Sequence, residues 1–222
     1  QGLALGLHPQ SWHAGWLYYS QRSVEVFNLF SSLYNQLGTR NLVRVLAGQS
    51  VNPWVNKQIM DWQNAYQSAD AFAVAPYFGG GFGNLNNVPL APTFSIPYLL
   101  TLCQANIVNN HHVYTRQNKS ETNQRGLQLL AYEGGQHLVG VGAAQSNQTL
   151  TNLFVAANRD PGMRQLYYSD LDEWFDEGGD LFMLYRLTGD YGQYGSFGLF
   201  EWQMQPRSTA HKWLGVMDYL GR

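Results

Sequence analysis

An α/β fold with parallel strands is predicted by three features of the chain. Four short apolar runs recur at 42–47 (LVRVLA), 71–76 (AFAVAP), 127–132 (LQLLAY) and 181–187 (LFMLYRL). Each is preceded by a segment with helical spacing of its apolar residues. Those intervening segments are long enough to serve as the helical crossovers that parallel neighbours require. Residues 1–222 read as a single domain, with no repeat, no linker and no charged block beyond the acidic stretch 170–180.

The elements follow in order. From 16 to 37, Leu17, Val24, Phe27, Leu29, Phe30, Leu33 and Leu37 fall near helical spacing, and Gly38 supplies the stop. The first strand, 42–47, leads into the loop residues Gln49, Ser50 and Asn52. Pro53 opens a helix at its permitted first position, and the pattern continues to about residue 69. The second strand, 71–76, is followed by YFGGGFGNLNNVP, which is too rich in glycine and polar residues for regular structure. A long helix is expected from 95 to about 124, the third strand at 127–132, and a helix over roughly 160–177. The fourth strand is expected at 181–187, and a helix at 209–220 closes the chain.

Composition narrows the possible partners. Charged residues make up 13% of the chain, about half the usual level of roughly 25%, and the formal net charge is -2. Neither disorder nor a basic nucleic-acid-binding surface fits these values. No apolar run reaches the roughly 18 residues of a membrane span, and QGLALGLHPQ has no positive region or cleavage site, so any targeting peptide is expected to be absent. Cys103 stands alone, which excludes an internal disulfide, and no CxxC or HExxH spacing announces a metal. No cofactor is expected.

In parallel α/β sheets the reacting groups sit past the carboxyl ends of strands. Asp70 and Asp180 precede their strands, whereas Glu133 and Asp190 follow theirs, and Glu201 lies in the later apolar run FGLFEW. Glu133 has the most specific setting: a carboxylate directly after an apolar strand, followed by Gly134 and Gly135, which let the chain turn away. That suits a nucleophile or general base. A solvated loop carboxylate, or an ion-pair partner for Arg44 or Arg186, is the alternative. His137 suits a rim residue that contacts substrate or a loop histidine without a role, while His111 and His112 read as surface histidines of a helix. Gly79, Gly80, Gly81 and Gly83 fit neither GxGxxG nor GxxxxGK[ST] and read as a flexible loop at the site. Asn118-Lys119-Ser120 and Asn147-Gln148-Thr149 match the glycosylation triplet.

The run LLAYEGG, preceded by VRVLAGQ and DAFAVAPYFGG, resembles the second half of a clan A glycoside hydrolase, and SQRSVEVFNLF and FGLFEWQ fit the same layout. The resemblance spans nearly the whole chain through the order of its elements. It implies the C-terminal half of a (β/α)8 barrel, strands five to eight, with strands one to four absent from this chain. The family's strand-seven nucleophile falls on Glu133, its strand-six aromatic, which hydrogen-bonds that nucleophile, on Tyr77, and its sugar-flooring aromatic on Trp202. Trp54 is the next candidate for stacking on a sugar. The family's acid/base lies in an Asn-Glu pair after strand four, and this chain has no Asn-Glu dipeptide. The implied activity is retaining hydrolysis of a β-linked polysaccharide or oligosaccharide by an extracellular or periplasmic protein. The missing half of the barrel would belong to the same protein or a second chain, and this chain alone would be inactive. The rival reading is a non-catalytic carbohydrate-binding or scaffolding module on a degenerate barrel.

Overall fold

The computed structural model describes residues 1–38, 41–84, 86, 88–89 and 91–221, apart from the side chain of Pro92. The protein is α/β, with parallel strands among helices. Read from sequence as one domain, the chain folds as two compact units, each assembled from three separate segments. The first comprises 1–75, 114–131 and 178–181, and the second 76–113, 132–177 and 182–222.

In the first unit, α1 (Ser11–Leu37) ends at Gly38, whose left-handed backbone lets its N–H close the last turn on the Tyr34 carbonyl. Strands β1 (Val45–Ala47), β2 (Ala71–Val74) and β4 (Gln128–Ala131) pair in parallel, with Leu46 opposite Phe72 and Phe72 opposite Leu129. All three side chains are fully buried. The sheet continues to β6 (Leu181–Phe182), is ordered β1-β2-β4-β6, and remains open. Both aspartates that precede strands act in the fold. Asp70 accepts from the backbone N–H of Arg44 at 2.7 Å and from its guanidinium at 2.9 and 2.7 Å. Asp180 accepts from the N–H of Leu129 at 2.9 Å and from Lys119 at 3.0 Å.

Helix α2 (Pro53–Asp61) is capped by the Asn52 side chain and buries Val55, Ile59 and Met60. Its Asn56 binds both the N–H and the carbonyl of Gln49, at 2.8 and 2.7 Å, and donates to Asn118 at 2.7 Å. Asn118 in turn donates to the Ser50 carbonyl at 2.8 Å. This buried carboxamide is fully engaged, so the Asn118 triplet is not a glycosylation acceptor. The other triplet is also structural, because Asn147 caps the following helix by accepting from the Leu150 N–H at 2.9 Å.

The second unit has two short parallel pairs: β3 (Tyr77–Phe78) with β5 (Gly135–Gln136), and β7 (Arg186–Thr188) with β8 (Gly198–Phe200). Its helices are α3 (Ile96–Asn106), α5 (Gln148–Arg159), α6 (Met163–Asp176) and α7 (His211–Leu220), while α4 (His112–Asn123) begins here and lies mostly in the first unit. Phe78, Leu99, Ile107, Leu138, Phe154 and Tyr167 belong to its core.

Several expectations need correction. The fourth strand is not continuous over 181–187; it divides into β6 and β7, because the Tyr185 N–H turns to the Gly134 carbonyl at 3.1 Å. The helix from Pro53 ends at Asp61 and continues as a 3-10 segment in which Gln63 and Asn64 have positive φ. The long helix from 95 is interrupted by one π turn, Ile107–His111. Helix α5 lies outside the predicted set, although Leu150, Phe154 and Ala157 form its buried stripe. The glycine-rich segment is not without structure: it contributes β3 and the 3-10 turn Gly80–Gly83, while Leu85 and Asn87 lie outside the described residues.

Histidines 111 and 112 are not idle surface residues. His111 is buried against Asp170 with Nδ1 2.7 Å from the carboxylate, and His112 lies 2.6 Å from Glu173 and 3.0 Å from Glu177. Burial raises the Asp170 carboxyl above its ordinary pKa, and His111 opposes that shift. The lone Cys103 is a core residue whose thiol burial pushes up to about 12.

Phe72 is the most informative residue for testing the first unit's sheet. Its replacement by alanine is expected to destabilise the protein by about 3–5 kcal/mol through lost burial and the cavity left behind, as measured by urea unfolding. A loss below about 1 kcal/mol would place it outside a packed core.

Candidate active site

The site forms where the second unit's first two strands begin. Two residues, Ala75 and Pro76, separate β2 from β3, whereas three, Tyr132, Glu133 and Gly134, separate β4 from β5. Both pairs are parallel, so the strand bearing Glu133 accommodates one residue more than its neighbour. An extra residue of this kind re-aims side chains out of the regular alternation, and such interruptions are common beside active sites. The glycines that follow are required by the space around them. A Cβ on Gly134 would lie 2.4 Å from the Phe182 ring and 3.0 Å from the Pro76 carbonyl oxygen, and Gly135 has φ of 121°.

Tyr77 faces this turn, close enough to Glu133 for the carboxylate to act on its phenol. Burial raises the phenol well above its ordinary pKa, and the charge of Glu133 and the proximity of Tyr185 add to the shift. The phenol therefore remains protonated and keeps its O–H. Around it stand His137, Phe197 and Tyr185, with ring centroids 5.4, 6.2 and 6.4 Å from that of Tyr77. Tyr185 and Phe197 also meet edge to face at 5.2 Å. The result is a partly exposed carboxylate beside a phenol and walled by aromatic rings.

Sequence reasoning brought Glu133, Tyr77 and His137 to this site and missed Tyr185 and Phe197. Tyr185 was hidden inside an apolar run read as one strand. Phe197 follows a glycine-rich excursion, and its position is set by contacts distant in sequence. Gln136 donates to the Ser196 carbonyl at 2.9 Å, and Lys212 donates to the same oxygen and, at 3.0 Å, to Asn158. The Lys212 ammonium also lies 4.1 Å from the centroid of the Tyr191 ring. Its burial pulls its pKa well below the ordinary value. These bonds fix the backbone immediately before Phe197.

The other expected residues lie elsewhere. Trp202 lines an open cavity of about 580 Å3 with Arg159, Glu201, Gln205, Pro206, Thr209 and His211, and neither Glu133 nor Tyr77 lines it. Glu201 has both carboxylate oxygens bound by Arg159, at 2.9 and 2.5 Å. Asp190 is exposed. Trp54 belongs to the first unit. Arg44, one suggested partner for Glu133, is committed to Asp70. Among the described residues, no group of three or more His, Cys, Asp or Glu side chains could hold a metal ion. Among the same residues, no helix is long and apolar enough to cross a membrane.

Comparison of the chain with protein-family models, curated proteins and solved structures gives no match.

His137 gives the site a pH signature. Burial lowers its pKa below the ordinary 6.5, against the charge of Glu133. Just below that value the unfolded chain binds more protons than the folded protein, so stability rises with pH through this window and is lost as pH falls through it. The thermal midpoint is expected to drop between about pH 6.5 and pH 5, and His137→Asn should reduce that drop. An unchanged profile in the variant would assign it to other groups.

Proposed function

We propose that this chain is the C-terminal half of a (β/α)8 barrel and acts as a retaining glycoside hydrolase on a β-linked oligosaccharide or polysaccharide, with Glu133 as nucleophile. The observation that carries this reading is the protonated Tyr77 phenol beside the Glu133 carboxylate at a strand end. A retaining nucleophile must be ionised, aimed by a donor and open to an anomeric carbon. Tyr77 supplies the donor, and Glu133 is partly exposed. The order β1-β2-β4-β6, with β1, β2 and β4 parallel, is the order that strands five to eight of a barrel would have. The aromatic rings around the carboxylate suit the C–H face of a pyranose.

In this mechanism Glu133 attacks the anomeric carbon, the glycosidic C–O bond breaks, and the leaving oxygen takes a proton from a second carboxylic acid about 5 Å away. Water activated by that second group then releases the sugar. Glu201 is held by Arg159, so the acid is assigned to the missing first half of the barrel, in the same protein or another chain. An extracellular or periplasmic location belongs to the same proposal.

One observation favours a second reading, a glycan-binding module without turnover. Among the described residues, the groups that act on Tyr77 through charge, hydrogen bonding or ring contact are one carboxylate, Glu133, and rings. The two readings separate on one variant. In the assembled protein Glu133→Gln is expected to lower turnover of aryl β-glycosides by about a thousandfold or more, with oligosaccharide affinity largely kept. Wild-type protein that binds glycans and never turns them over would support the module instead.

In this reading Tyr77→Phe removes one hydrogen bond to a charged group, worth about 1.5–3 kcal/mol. The expected loss in kcat is therefore about ten- to hundredfold. Full activity in Tyr77→Phe would remove the phenol from the mechanism.

A further inference from the structure

Helix α1 and helix α2 of the first unit bring three tryptophans together at the surface. Trp12 and Trp16 lie one turn apart on α1, with ring centroids 4.8 Å apart, and Trp54 at the start of α2 lies 6.4 Å from the first and 6.0 Å from the second. The indoles meet at interplanar angles of 60°, 59° and 75°, so they form an angled wall rather than a stack. His13 joins them, its ring centroid 5.6 Å from that of Trp54, with the Gln58 side chain close by. Trp12 and Trp54 are 49% and 50% exposed, an unusual state for the largest apolar side chains.

A second observation points the same way. Gly15 sits inside α1 on the face shared by Trp12, Trp16 and Tyr19. A glycine within a helix is destabilising and is usually retained for close packing or a special backbone. Neither applies, because Gly15 has no positive φ and a Cβ built on it would meet nothing within 4 Å. The position leaves open space on that helix face, which a longer side chain there would enter.

We infer that Trp12, Trp16 and Trp54, with His13 and Gln58 at their edge, form a second glycan-binding platform in the first unit, taking a neutral oligosaccharide by ring stacking. The indoles offer apolar faces to sugar C–H groups, and the carboxamide and imidazole offer hydrogen bonds to hydroxyls. Burial and the nearby His8 lower the His13 pKa, so this rim is uncharged near neutral pH, matching a ligand without charge. A charged ligand would find no counter-ion in this group. The choice of a glycan rests on the proposed function, but the platform does not use Glu133.

The test uses the full chain with cellohexaose, xylohexaose and laminarihexaose as probes, read by titration calorimetry and tryptophan fluorescence. Wild type and Glu133→Gln are expected to bind at least one probe alike. Trp12→Ala with Trp54→Ala should weaken that binding about tenfold or more. Gly15→Gln should weaken it comparably while leaving the thermal midpoint unchanged or higher, since glutamine is the better helix former. The gain in helix propensity separates lost binding from lost folding. Binding unchanged by all three substitutions would overturn the platform, as would failure of every probe to bind. A wild-type dimer that the tryptophan substitutions convert to monomer, without any glycan binding, would overturn it in favour of a self-association surface. Binding kept in Glu133→Gln and lost in the tryptophan variant tells the platform from the Glu133 site.

Discussion

Parallel pairing of Tyr77 with Gly135 determines where the proposed chemistry can stand. Once that register is set, the three residues between β4 and β5 must fit beside the two between β2 and β3, and Glu133 occupies the excess. The phenol that leaves β3 then meets the carboxylate ahead of β5. Gly134 and Gly135 follow from the same constraint, because Phe182, the Pro76 carbonyl and Tyr167 close in on that backbone. The aspartates at the strand starts serve the opposite purpose. Asp70 and Asp180 tie neighbouring backbone and cations together, and their full engagement leaves them no part in reaction chemistry.

Electrostatically the site combines one ionisable carboxylate with groups held neutral. Burial keeps Tyr77 protonated and disfavours the imidazolium of His137. A neutral phenol beside the carboxylate brings no full counter-charge, which in the proposed mechanism would leave it free to bond to an anomeric carbon. Glu201 has the contrasting environment: a bidentate arginine satisfies both oxygens and leaves it a structural anion. Two carboxylates that both follow apolar runs are thus separated in role by their neighbours.

The strand whose apolar run coincides with burial on both faces is β2. Residues 71–74 are buried at every position, and they were placed correctly. The run 181–187 contains just as many apolar residues, yet Leu181, Met183, Tyr185 and Leu187 are exposed, so pattern alone did not show that it divides. Sequence reasoning brought Glu133 and Tyr77 together because each lies just past a strand of the four-stranded sheet, β4 and β2, and position along the chain translates into position near the strand end. Tyr185 and Phe197 were not legible, since their placement depends on the Gly134 carbonyl and on Gln136 and Lys212, partners 16 to 60 residues away. His111 was misread for a related reason: adjacent histidines on a helix look solvent-facing until Asp170 on a distant helix covers one of them.

The central claim is that Glu133 is a nucleophile, and covalent trapping tests it without needing a proton from an acid partner. A 2,4-dinitrophenyl 2-deoxy-2-fluoroglycoside has a leaving group that departs unprotonated, while the fluorine slows hydrolysis of the glycosyl-enzyme. Peptide mass spectrometry after incubation is predicted to show one fluoroglycosyl adduct, on Glu133. A label on Glu201 or Asp190, or none with any of a panel of such sugars, would contradict the account.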